Sequence, residues 1–160
     1  MVVGCVGIPY AKTVVGSVLN MDHIRQVYEK IDAILDDEKY AEDHRLFSKL
    51  CIDFCGHLLS SMDADGLKAL QIAKDFWSGK IDEHERLEGL SLISPRLNSY
   101  TPNSPENAVN RLVFGALSDV NGLNWQAGEF LVDMAADAGI PLSSIADIFS
   151  ENLPEFSKAR

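Results

Sequence analysis

The 160-residue chain is 46% apolar and 24% charged, with 24 acidic against 14 basic residues and a formal charge of −10. That composition supports one domain with its own core and excludes a disordered chain. The acidic balance argues against nucleic-acid or anionic-membrane binding, which draw their affinity from a basic face, and it favours a basic partner.

Residues 1–20 are apolar and Gly-rich, in short runs broken by Pro9 and Lys12. Neither a secretory signal nor a membrane-spanning helix has that form. Helical patterning starts after Met21. Residues 1–20 therefore read as an N-terminal arm dispensable for the fold, or as sequence upstream of a true start at Met21. Residues 21–160 read as one helical domain.

Ile24, Val27, Tyr28, Ile31, Ile34 and Leu35 follow the three-and-four spacing of an amphipathic helix, ended by Asp36-Asp37-Glu38. A second helix is predicted from about Glu42 to Ser61. Phe47, Leu50, Cys51, Phe54, Leu58 and Met62 form its stripe, and Leu46, Ile52 and Leu59 make its other side apolar too, which predicts a central position. A third starts at Asp63 or Asp65, runs through Leu70, Ala73, Phe76 and Trp77, and stops at Ser78-Gly79. Asp82 with Glu85 three residues on is a capping box. The fourth helix it opens uses Leu87, Leu90, Ile93 and Leu97, kinked or ended by Pro95.

Residues 98–105 form a Pro-rich linker, with Ser104 as N-cap and Pro105 as first residue of the fifth helix. That helix buries Val109, Leu112, Val113, Ala116, Leu117 and Val120, and ends at Asn121-Gly122. A sixth uses Ala127, Phe130, Leu131, Met134, Ala135 and Ala138 before Gly139. The seventh begins near Pro141 with Leu142, Ile145, Ala146 and Phe149. No long strand pattern competes. The expectation is an all-α, single-domain bundle of six to seven amphipathic helices packed as antiparallel hairpins.

Motifs for chemistry are sparse. Cys51 and Cys55 make a single C-x3-C, short of the paired spacing of structural zinc, and both sit on an apolar stripe where free cysteine packs as a small hydrophobe. With Cys5 they suggest reduced thiols in a cytoplasmic protein. No Glu-x-x-His, nucleophile elbow or Gly-rich phosphate loop occurs. His23, His44, His57 and His84 are scattered, and His57 reads as a hydrogen-bonded histidine at the edge of the core. No catalytic, cofactor-binding or metal-binding residue is predicted, so the chain reads as a non-enzyme.

Charge distribution is more informative. From Leu112 to Phe156 there is no Lys or Arg, but there are Asp119, Glu129, Asp133, Asp137, Asp147, Glu151 and Glu155. Glu129, Asp133 and Asp137 share a helix face, as do Asp147 and Glu151. The first ladder is expected to face outward, opposite Phe130, Met134 and Ala138. Trp125 and Tyr100 are exposed aromatic candidates for contact with a partner. The candidate partner surface is thus Tyr100, Asp119, Trp125, Glu129, Asp133, Asp137, Asp147 and Glu151. A second acidic patch comprises Asp32, Asp36, Asp37, Glu38, Glu42 and Asp43.

The segment RLFSKLCIDFCGHLL (Arg45 to Leu59), followed by LKALQIAKDFWSGKID (Leu67 to Asp82), resembles helical immunity proteins of bacterial polymorphic toxin and contact-dependent growth inhibition systems. The shared features are an Arg-Leu-Phe helix with Cys and small residues, then Ala73, Phe76 or Trp77, and Gly79 in an Ala-x-x-aromatic-x-x-Gly ending. The match covers roughly a third of the chain. The resemblance implies a cytoplasmic protein that neutralises a cognate toxin. Many such toxins are nucleases, whose clefts are basic to hold phosphate. The competing readings are a cytosolic helical adaptor or regulator, and a metal-dependent helical enzyme.

Overall fold

A computed structural model describes residues 7–36, 39–43, 45–99, 101–118 and 122–158, leaving the side chains of 7–20 and 158 outside that description. All regular structure among these residues is helical: α1 (Gly7–Leu35), α2 (Leu46–Gly56), α3 (Ala64–Trp77), α4 (Glu83–Ile93), α5 (Pro105–Leu117), α6 (Trp125–Asp137), α7 (Leu142–Asn152) and α8 (Pro154–Lys158). Single 3₁₀ turns follow α2 and α4. No described helix is long and apolar enough to cross a membrane.

Local signals set most boundaries. Asp63 Oδ1 accepts from the Gly66 N–H at 2.9 Å to start α3, and Gly79 (φ +78°) follows its end. Asp82 and Glu85 form the capping box of α4 reciprocally. Ser104 accepts from the Asn107 N–H, and Pro105 opens α5. Helical backbone begins at Gly7, ahead of the patterning that starts at Met21. Pro9 is tolerated there because the first turn has no N–H bonds to lose.

Three boundaries differ from the sequence expectation. The second helix is shorter than Glu42–Ser61. Gly56 ends it, and His57 and Leu58 N–H fold back on Phe54 and Cys55 carbonyls. Leu59 consequently lies exposed in the 3₁₀ turn. The fifth helix stops at Leu117, before Asn121-Gly122. Carbonyls at its end accept from side chains of three other helices: Ser48 Oγ donates to Ser118 O at 3.0 Å, Trp77 Nε1 to Ala116 O at 2.8 Å, and Arg86 Nη1 to Leu117 O at 2.5 Å. Groups that a helix end leaves unpaired are thus satisfied from α2, α3 and α4. Arg86 is in turn buried, so the inner face of α4 is Arg86, Gly89 and Ile93, while Leu87 is 48% exposed. The short α8 is added beyond the seventh helix, and its Phe156 stacks on Phe149.

Packing is partly between chain neighbours, as in α3 with α4 and α5 with α6, but α1 rests mainly on α6 and α2 mainly on α5. The core joins Leu50, Cys51 and Phe54 of α2 to Leu112, Val113 and Ala116 of α5, and extends to Ile31, Leu131, Ile145 and Phe149. Cys51 and Cys55 are buried free thiols. The loop after α1 docks on the loop before α6: Leu123 N–H donates to Tyr40 O at 3.0 Å. Gly122 (φ +81°) allows this, since a Cβ there would lie 1.7 Å from the Ala41 carbonyl oxygen.

Candidate functional site

Asn124 caps α6 through the Ala127 N–H at 2.8 Å and places Trp125, 44% exposed, on the first turn. Helix α6 then runs antiparallel against α1. The approach is close because residue 128 is glycine: a Cβ would sit 2.5 Å from Ile31 Cγ2 and 2.8 Å from Leu35 Cδ1. The inward face of α6 is therefore Gly128, Leu131, Val132 and Ala135, while Phe130, Met134 and Ala138 are half-buried flanks.

This rotation corrects the expected outward ladder. The acids border the α1–α6 seam, with Glu129 and Asp137 half-buried and Asp133 exposed. The Tyr28 hydroxyl on α1 donates to Asp133 Oδ1. One turn on, Asp32 interacts with Glu129, and its Oδ1 is buried with no hydrogen-bond partner among the described residues. Burial, then the charge of Asp32 and a hydrogen bond with it, and then the charge of Asp133, hold Glu129 above the usual carboxylate range. Burial and then Asp133 raise Asp137. The Tyr28 phenol is also raised, by burial first, then its bond to Asp133, then the charges of Asp133, Glu129 and Asp137.

No cation forms an ion pair with Asp32, Glu129, Asp133 or Asp137 among the described residues. Elsewhere the structure supplies what the base-free segment lacks locally. Lys39 pairs with Glu155, which also accepts from Tyr40 Oη at 2.5 Å. Lys49 Nζ reaches Asn152 Oδ1 at 2.6 Å beside Glu151, and Lys30 lies over the Phe156 ring. Asp147 and Glu151 are exposed on α7 and form no ion pair among the described residues.

Asp119 and Tyr100 lie outside the described residues, as do Asp37 and Glu38 of the second patch. Asp36, Glu42 and Asp43 are exposed. Asp32 turns into the seam, so part of the second patch belongs to the same face as the α6 ladder. Tyr28 is in neither acidic patch expected from sequence, and Asp32 is only in the second. Their four-residue spacing on the flank of the first helix is a signal, but only the pairing of α1 with α6 gives it meaning. His57 is exposed on a turn rather than bonded at the core edge. No group of three or more His, Cys, Asp or Glu suited to a metal ion occurs among the described residues.

Comparison with known proteins finds no matching family model and no significantly similar curated protein or solved structure.

Proposed function

We propose that this chain is an immunity-type binding protein whose acidic α1–α6 face takes a basic surface of a cognate toxin, a nuclease domain being the best fit in charge. The observation that supports this reading is the unrelieved carboxylate group of Asp32, Glu129, Asp133 and Asp137. A lysine or arginine inserted from a partner supplies the missing counter-charge and lowers both raised carboxyls. The repulsion present in the free protein is then lost on binding, and complementary charge speeds encounter. Trp125 at the head of α6 offers an apolar anchor next to the charges. The toxin as partner rests on the resemblance of Arg45–Asp82 to helical immunity proteins.

The test is protection and binding together. Cells expressing a candidate basic nuclease toxin domain are complemented with wild type or with the double variant Asp133→Lys and Asp137→Lys, and the affinity of each is followed against salt. Wild type is expected to protect and to bind more weakly as salt rises, while the variant loses both protection and the salt dependence. Equal binding by the two proteins removes the acidic face as the interface. Binding of a basic protein without protection favours the adaptor reading.

A further inference from the structure

A second site lies on another side of α6, where it meets α5 and α2. A cleft of about 220 Å³ opens there. Its walls are Phe47, Phe114, Phe130 and Leu97, and its polar groups are Arg111 and Ser118. Phe47 is buried, and the other wall residues are half-buried.

Arg111 is the unusual member. Its Nε donates to Asn107 Oδ1 at 2.8 Å, and Asn107 is itself buried one turn back on α5. That bond holds the guanidinium in place while its terminal amino groups find no hydrogen-bond or ion-pair partner among the described residues. Arg86, which is buried, and Arg96, half-buried like Arg111, are treated differently. Arg86 takes Glu83, and Arg96 takes Asp63 and Asp65. In a chain with 24 acids to 14 bases, a half-buried arginine left without a carboxylate is conspicuous. Asp137 borders an adjoining hollow with Arg111, yet they form no ion pair, and burial with Asp133 raises Asp137 without a cation to lower it. Ser118 Oγ donates to Phe114 O at 2.8 Å. Arg111 is therefore the cleft's side-chain donor for an anion.

We propose that this cleft binds a small monocarboxylate with an aromatic or branched apolar body. The carboxylate meets the free fork of Arg111, and the body lies between Phe47, Phe114 and Phe130. A planar fork fixed at one nitrogen suits bidentate carboxylate recognition. Aromatic walls with one convergent charge are the usual make-up of a small-molecule site. The volume lies below the roughly 300–1,000 Å³ of sites for drug-sized ligands, which limits the occupant to a small acid. The site adjoins the α1–α6 face through the hollow that Arg111 shares with Asp137, but it does not depend on the toxin reading.

The test titrates the full-length protein, at physiological salt, with 3-phenylpropionate and with its neutral counterpart 3-phenylpropanol, followed by amide NMR shifts. The acid is expected to bind saturably, with shifts centred on Phe114, Ser118 and Phe130. The alcohol should bind about tenfold to a hundredfold more weakly, the range for loss of a charge-assisted bond. Arg111→Met should weaken the acid by the same factor and leave the alcohol unchanged, and Arg111→Lys should fall between. Equal affinities for the two probes, shifts centred elsewhere, or no saturable shift with the acid each overturn the proposal. The comparison of probes on wild type stands even where a variant fails to fold.

Discussion

The Tyr28 hydroxyl on α1 donates to the Asp133 carboxylate on α6, joining residues 105 positions apart across the acidic seam. Among the described residues it is the one neutral donor to the Glu129–Asp133–Asp137 ladder. Tyr28→Phe removes it at little change in volume. The expected cost is about 0.5–1 kcal/mol, at the low end because Asp133 is exposed and water substitutes in part. A lower urea midpoint at constant slope is the readout. The phenol is also raised above its ordinary value. Its contribution to stability is present below pH about 10 and is lost as pH rises through the folded value. The variant should lose that alkaline component.

Glu129 and Asp137 are raised, so the native state holds protons there that the unfolded chain releases. Stability from this source falls as pH rises from the ordinary carboxylate range through the raised values. Asp63 and Glu83 act in the opposite sense. Hydrogen bonds from Arg96 and Arg86 respectively lower them, so their contribution is lost as pH falls below the ordinary carboxylate values. Glu129→Gln should flatten the decline toward pH 7 and stabilise there by a few tenths of a kcal/mol, because solvent screens most of the repulsion. Thermal melts of both proteins between pH 4 and 8 provide the check.

Gly122→Ala is expected to destabilise by about 3 kcal/mol or more, since it combines a positive φ with a Cβ directed into the Ala41 backbone. Gly139→Ala is the control. Its φ is +92° but a Cβ there meets nothing within 4 Å, so its cost is conformational strain alone, about 1–2 kcal/mol. A loss at Gly122 no larger than at Gly139 contradicts the docking of the two loops.

Burial raises both α2 thiols, Cys51 well above its ordinary value and Cys55 to about 12. The thiolate is the reacting species. Neither should react with an alkylating reagent at pH 8 in the native protein, and both should react in strong urea, as mass spectrometry of labelled peptides will show. Fast native labelling at either position would place α2 outside the core.

Much of the fold was legible because its signals are local. Asp63, Asp82 and Ser104 each accept from a backbone N–H three residues on, and Gly79 follows the end of α3 wherever that helix is placed. Apolar spacing likewise located seven helices and marked α2 as central. What spacing could not supply was the phase of a flank. On α6 the half-buried Phe130, Met134 and Ala138 look like a core stripe in sequence, and small Gly128 and Ala135 do not. Only close contact with Ile31 and Leu35 gives small residues the inner face.

The sequence by itself determined an acidic, all-helical chain with a base-free stretch from Leu112 to Phe156, since composition and three-to-four-residue periodicity depend on neighbours along the chain. The tertiary structure alone decided which charges meet. It brought Tyr28 and Asp32 to the α6 ladder, gave Glu155 its Lys39, and left Arg111 without a carboxylate beside three phenylalanines. Electrostatic interaction depends on distance and burial in space, and both are set by which helices pack together.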